Sequence, residues 1–408
     1  MTPKKGIFHG LGRNVYAAGF VSLFMDISSE MVYSLVPLFL ANTLGVNKSI
    51  IGFIEGVAES TASVLRAFSG YISDRMGTRK WVMAAGYGIS VLSRPLIAMG
   101  TNWGEVMVYR FTDRFGKGVR SAPRDAIIVE STHKDSLARA FNFHRAMDTF
   151  GAMLGPLIAF IILAAYQNNY RLVFWLSIIP GVIAVILIIV FIQDVPMSAA
   201  SPREKKHAIS AKHFDWKFRL FLVIAALFAL GNVSDFFLIL RAQDAGIPVT
   251  TIPVVYLFFN LIYSLFAIPA GIMADNYGKK RLILLGMSLF ALLFLGFAQA
   301  QSPRAIWLLF ALYGIFMGLT EGIQKAYLAT IIPAEYKATA YGIFNAVVGI
   351  AMLPSGIIAG WLWDAYSPAA TFYFGAATAT LSALAFAVYS GWVDREKALR
   401  QHRPGAVQ

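Results

Sequence analysis

Apolar residues run along this chain in long blocks, and polar residues gather between the blocks. GYGISVLSRPLIAMG, RLVFWLSIIPGVIAVILIIVFI, KFRLFLVIAALFALG, RLILLGMSLFALLFLGFA and TFYFGAATATLSALAFAVYSGW are examples. With its flanks each block reaches about 20 residues, and at about 1.5 Å per residue a helix of that length spans a ~30 Å hydrocarbon core. The pattern predicts helices at roughly 16–40, 47–74, 81–100, 104–128, 139–165, 172–193, 218–240, 250–275, 281–300, 305–332, 340–363 and 369–393. The expectation is an all-α membrane protein with twelve transmembrane helices. The long polar interval QDVPMSAASPREKKHAISAKHFDWK, residues 193–217, splits it into an N-terminal six-helix bundle, 1–192, and a C-terminal one, 218–408.

One block departs from the apolar rule. RFTDRFGKGVRSAPRD, residues 110–125, is dense in charge. At about 100° per residue, Arg110, Asp113, Arg114, Lys117, Arg120, Ser121, Arg124 and Asp125 fall on one side, and Phe111, Phe115, Val119 and Ala122 on the other. This predicts a fourth helix with a polar stripe, kinked in its last turn by Pro123. A charge at the bilayer centre costs at least about 2.5–3.5 kcal/mol, so the stripe must face protein or a watery cavity. A phosphate-binding loop is excluded, because GKG lacks the upstream Gly and the following Ser or Thr.

Composition narrows the class. The 408 residues are 57% hydrophobic and 14% charged, and there is no cysteine for a disulfide, a thiolate nucleophile or a cysteine metal site. The net charge of +13 is not a nucleic-acid footprint, because Lys and Arg gather in alternate loops: Lys4 and Lys5, Arg75 to Lys80, Arg203 to Arg219, Lys279 to Arg281, Arg395 to Arg403. The intervening loops carry mostly single charges, such as Lys48, Arg171, Arg241 and Arg304. This positive-inside bias places both termini and the middle loop in the cytoplasm. The first apolar run, without a small-residue cleavage site, is expected to be a retained helix. Membrane enzymes are disfavoured by the absence of HExxH, GxSxG and intramembrane His clusters. No metal site, no cofactor and no nucleic-acid partner are expected.

The halves repeat. GYISDRMGTRK at 70 is echoed by GIMADNYGKKR at 271, and parallel six-helix repeats describe one transporter architecture. Gly70, Asp74, Arg75, Gly77, Arg79 and Lys80 resemble motif A of the major facilitator superfamily, and Gly271, Asp275 and Gly278 its degenerate second copy. The resemblance implies two pseudo-symmetric bundles rocking about a central site, with these residues acting as a gate. Arg110 is similar to the motif B arginine, although Asp113 and Arg114 replace the usual Gln and Gly. Gly151, Gly155 and Pro156 resemble part of motif C, associated with export, without its trailing glycines. Helices one, two, four, five, seven, eight and ten are those the family uses to line its cavity.

Polar faces on those helices supply the candidate site. Asp26, Ser29, Glu30 and Tyr33 form one stripe, and Glu55, Glu59, Ser63 and Arg66 another. Glu59 lies about 22 Å from Asp74 along a helix, well inside the membrane. Asp26, Glu30, Glu59 and Asp113 are the candidate proton carriers, since burial disfavours an ionised carboxylate and a nearby arginine restores it. Arg110, Arg114, Arg145, Asp148, Asn260, Glu321 and Lys325 are the candidate substrate ligands. His144 is expected to be a packing residue, and Arg66 and Arg94 to snorkel. The expected function is proton-coupled antiport of a small organic solute by a monomer in the bacterial inner membrane. The alternative is a proton symporter importing an organic anion, such as a carboxylate siderophore or metabolite, because arginine forks suit planar anions.

Overall fold

In hydrocarbon a backbone must satisfy its own polar groups, and an apolar block does so by winding into a helix. The computed structural model describes residues 12–133, 136–194, 215–332 and 337–401, and within these the side chains of Asp74, Asp275 and Glu321, among a few others, lie outside the description. Twelve helical rods make up the described chain. The first six are α1 (Arg13–Thr43), α2 (Lys48–Met76), α3 (Lys80–Met99), α4 (Trp103–Glu130), α5 (Leu137–Ala165) and α6 (Tyr170–Phe191). The second six are α7 (Trp216–Asp244), α8 (Ile252–Tyr277), α9 (Lys279–Gln299), α10 (Pro303–Ile331), α11 (Lys337–Ala365) and α12 (Pro368–Gln401). Ten of the rods have a stretch long and apolar enough to cross a membrane. The other two, α2 and α4, are 29 and 28 residues long and carry the charged stripes. Helix α4 runs on past Pro123, which therefore does not end it.

The repeat is visible in the packing. Within the first half α1 lies on α5 and α6, α2 on α4, and α3 on α4 and α6. The second half repeats each pair: α7 on α11 and α12, α8 on α10, and α9 on α10 and α12. The two largest crossings between the halves, α2 with α11 and α5 with α8, are themselves related by the repeat. Gly77 (φ 69°) and Gly278 (φ 89°) sit in the left-handed region, which lets α2 and α8 turn directly into the next helix. Just beyond, Lys80 Nζ donates to the Ile189 carbonyl at 2.8 Å, and Lys280 Nζ meets Asp394 at 2.6 Å. Arg79 pairs with Glu130 at 2.8 Å, and Asp194 accepts from the backbone N–H groups of Arg79 and Lys80.

The lone arginines of the opposite loops have a structural task. Arg171 donates to the carbonyls of Ala98 and Gly100, both at 2.8 Å, and so closes the C-terminus of α3. Arg241 does the same for α9 through the carbonyls of Phe297, Ala298 and Ala300. Equivalent helix ends are thus satisfied by arginines from non-equivalent helices, α6 and α7, because a C-terminus attracts any cation within reach.

At the end of the bundle opposite Asp194 and Asp215 the halves are sealed. Gly52 of α2 and Gly356 of α11 meet backbone to backbone, with no room for a Cβ on either. Asp364 of α11 caps α2, accepting from the N–H groups of Lys48 (3.1 Å) and Ser49 (2.8 Å) and from the Ser49 hydroxyl (2.6 Å). Replacing Gly356 with Val will wedge this seal apart. Because the chain has no cysteine, a single cysteine introduced at Ser49 reports it: its labelling by a membrane-impermeant maleimide will rise at least severalfold in the Gly356→Val background. Unchanged labelling would show that the seal tolerates a side chain.

Candidate functional site

Two helices break where the halves face each other. α1 is interrupted at Ser34 and Leu35, just after Tyr33, and α7 at Asn232 to Ser234, between Gly231 and Asp235. Broken helices at this depth are tolerated only where they line a cavity or pack on protein. Here a cavity of about 300 Å³ lies between the halves, bounded by α1, α2, α4, α7, α8, α10 and α11.

One wall is ionic. Arg110 of α4 is 1% exposed and donates through Nε (3.0 Å) and Nη2 to Oε2 of Glu55, itself 1% exposed. One turn on, Arg114 Nε lies 2.8 Å from Glu59 Oε1, which also comes within 4.0 Å of Arg110. Asp113 faces the other way, 3.5 Å from Arg94 of α3. The i, i+3, i+4 spacing places all three α4 charges within about one turn, and each finds its counter-charge on a neighbouring helix. Arg94 does not snorkel. It is fully buried, donating to Tyr109 (2.5 Å) and Ser29 (3.0 Å), so a residue expected at the interface is a strut of the core. Arg66 is exposed, as a snorkelling residue would be. The partner of Arg110 is Glu55, a residue noted for its helical face but not among the candidate ligands.

The opposite wall is aromatic. Tyr256, Tyr313 and the broken segment of α7 line it, and the Tyr313 hydroxyl donates to Asp235 at 3.2 Å. Tyr33 bridges the walls: the guanidinium groups of Arg110 and Arg114 each lie 5.5 Å from its ring centroid, and Phe236 of α7 covers Arg110 at 5.1 Å. Such cation–π contacts are strongest when desolvated.

The structure gathers some candidates and disperses others. Asp26, Glu30, Glu59, Asp113, Arg110 and Arg114 all line the central cavity, with Lys117 and Arg120 lower on the α4 stripe. Asp26 and Glu30 fit there because α5 offers glycines: a Cβ at Gly151 would lie 2.7 Å from that of Asp26, and one at Gly155 2.8 Å from that of Glu30. Pro156 follows inside the continuous α5. Arg145 and Lys325 do not reach this cavity. They line a second one of about 440 Å³ that reaches Lys279 at the start of α9, where Arg145 Nη2 donates to Tyr263 at 2.5 Å. Asp148 accepts from Ser22 and lies 3.5 Å from His144, in the α1–α5 seam. Asn260 lines neither cavity. The side chain of Glu321, and those of the gate residues Asp74 and Asp275, fall outside the description, as does the burial of Gly70, and Arg75 is exposed. Helix α5, expected to line the centre, instead buttresses α1, and α11 takes a place at the cavity through Met352, Ser355 and Gly356.

Comparison with known proteins agrees with this architecture. The sequence matches the Major Facilitator Superfamily over residues 18–241 and 220–406. It is 36% identical over 382 residues to an uncharacterized MFS-type transporter of Methanocaldococcus jannaschii, spanning 92% of this chain and 94% of that one. A quinolone resistance protein of Staphylococcus aureus, NorA, is 22% identical over 226 residues, 55% of this chain and 57% of its own. Among solved structures, the nucleoside transporter NupG superposes with a TM-score of 0.78 at 14% identity, over 92% of this chain and 98% of that one, which is a likeness of fold.

The two ion pairs differ in burial, and that sets their response to mutation. Glu55 is sealed, whereas the Glu59 side chain is 31% exposed to the cavity. Removing one partner of a buried pair costs about 3–5 kcal/mol, because the other charge stays behind. Arg110→Ala will therefore lower the melting temperature of detergent-purified protein more than Arg114→Ala, and Glu55→Gln added to Arg110→Ala will recover part of the loss. Equal losses, with no recovery in the double variant, would contradict the burial argument.

Proposed function

The chain belongs to the major facilitator superfamily, and from that premise we propose that it is a proton-coupled secondary active transporter exporting a small organic solute by alternating access. The observation that carries this reading is the central cavity, sealed at one end by Gly52 and Gly356 and walled on one side by Glu55 and Glu59, whose partners are arginines on another helix. A rocking step that separates α2 from α11 must change the surroundings of Glu55 and Glu59. A carboxylate whose surroundings change between two states can load a proton in one and release it in the other.

Asp26, Glu30, Glu59 and Asp113 are the proposed proton carriers, Arg110 and Arg114 the organisers of the substrate wall, and Arg145 and Lys325 part of the path towards segment 193–217. The proposal divides the chain into bundles 1–192 and 218–408 joined by 193–217. It places that segment and both termini in the cytoplasm of a bacterium, with the protein acting as a monomer in the inner membrane. Outward movement is supported by the likeness to a quinolone resistance protein and by Gly151, Gly155 and Pro156 of α5, which resemble part of the motif associated with export. Import of an organic anion has one observation in its favour, the four basic residues along α4 that line the cavity. Two of them, Arg110 and Arg114, are already engaged by Glu55 and Glu59.

The test uses proteoliposomes loaded with a pH-sensitive dye and the compound that most raises the melting temperature in a ligand panel. An imposed proton gradient will drive its accumulation. Asp26→Asn, Glu30→Gln and Glu59→Gln will each be compared for proton movement and for counterflow, and at least one will keep counterflow while losing tenfold or more of the coupled proton flux. If all three move protons with substrate at the wild-type ratio, the coupling site lies elsewhere.

A further inference from the structure

At the sealed end of the central cavity the α2–α11 crossing leaves polar atoms without partners. Gly52 packs on Gly356, and Gly56 on Met352 and Leu353, so residues 52–56 and 352–356 run antiparallel in contact. Glu55 and Ser355 lie within that crossing, and both line the cavity. Each is 1% exposed. Oε2 of Glu55 is taken by Arg110, but Oε1 has no hydrogen-bond partner among the described residues, and neither has the hydroxyl of Ser355. Oε2 of Glu30, on the α1 wall, is likewise buried without a donor. Asp235 receives one hydrogen bond, from Tyr313, at the start of the second α7 segment.

The cations of the cavity are committed differently. Arg110 and Arg114 are held by Glu55 and Glu59, and Arg120 donates to Ser90 at 2.8 Å with its guanidinium 4.4 Å from the centre of the Tyr87 ring. Lys117 is the one basic side chain lining this cavity for which no ion pair or hydrogen bond is found among the described residues. What the roof offers a ligand is therefore a set of acceptors, with the rings of Tyr33, Tyr256 and Tyr313 around them. A buried acceptor left unpaired is costly, about 1–3 kcal/mol or more when charged, and a ligand that donates to it recovers that cost.

We propose that the cavity roof formed by Glu55, Ser355, Glu30 and Asp235 binds the N–H-bearing cationic head of an organic amine or guanidine, so that the transported solute is an organic cation. This rests on the transport reading above and specifies its substrate class. The site straddles the two halves: Glu55 comes from α2, Ser355 from α11 and Asp235 from α7. Separation of α2 from α11 breaks it, so the head group is held while the sealed end is shut and released when that end opens. A ligand held tightly in one state and loosely in the other is what vectorial release requires.

The experiment is equilibrium binding to the detergent-purified full chain, read by melting temperature and by calorimetry, which needs neither a gradient nor a direction. The probes are a series of aryl- and alkyl-amines and guanidines, each matched with its isosteric alcohol and carboxylate. At least one amine or guanidine will bind, its alcohol and carboxylate at least tenfold more weakly. Glu55→Gln and Asp235→Asn will each weaken it at least tenfold, and Ser355→Ala severalfold. Asp394→Asn, an acidic substitution at the Lys280 pair outside both cavities, is the control for general loss of fold and keeps the affinity. Binding of carboxylates in preference to their matched amines, binding of no amine or guanidine in the series, or amine binding indifferent to both acidic substitutions would each overturn the proposal. Failure of proton coupling with amine binding intact would overturn the coupling reading and leave this one standing.

Discussion

The contact between Arg110 and Glu55 is the constraint that the rest of the first half obeys. Both side chains are buried, and a lone charge at that depth is too costly to keep. Helix α4 can lie inside the bundle only if its stripe is answered from neighbouring helices, and the answers come from Glu55 and Glu59 on α2 and Arg94 on α3. The order of packing, with α4 against both α2 and α3, follows from that requirement.

The two halves share a plan but differ in what fills it. The first half holds its interior with ions and hydroxyls. The second does so with aromatic rings: Phe290 stacks on Phe294 at 3.9 Å and meets Phe316 at a tilt at 5.0 Å, and Phe297 and Phe372 continue the cluster at 5.7 Å. Rings pack with little dependence on a specific partner, whereas ion pairs tie one residue to another. A cavity between two such walls presents charge on one face and an aromatic surface on the other.

Glycine decides where helices may touch. Gly52 with Gly356 brings helices of opposite halves together backbone to backbone, and Gly151 with Gly155 makes room for the side chains of Asp26 and Glu30. In lipid, where burial of apolar surface gives helices no advantage over acyl chains, such close backbone contact is a main source of packing energy. The same residue type therefore serves closure of the cavity at one crossing and placement of its carboxylates at the other.

The sequence by itself determined the twelve-helix plan, the two-fold repeat and the polar stripes, because these follow from local rules: block length against bilayer thickness, and residue spacing against the helical period. It also brought Asp26, Glu30, Glu59, Asp113, Arg110 and Arg114 to notice, since each is a charge inside an apolar block. Tertiary structure alone decided who answers whom. Glu55, not Asp113 or Glu59, meets both Nε and Nη2 of Arg110; Arg94 is a buried strut; α11, not α5, closes the cavity; Arg145 and Lys325 belong to a second one. Those outcomes depend on the rotation of each helix about its axis and on which helix lies beside it. Both are fixed by contacts between residues far apart in the chain, such as Gly52 with Gly356, which no local pattern encodes.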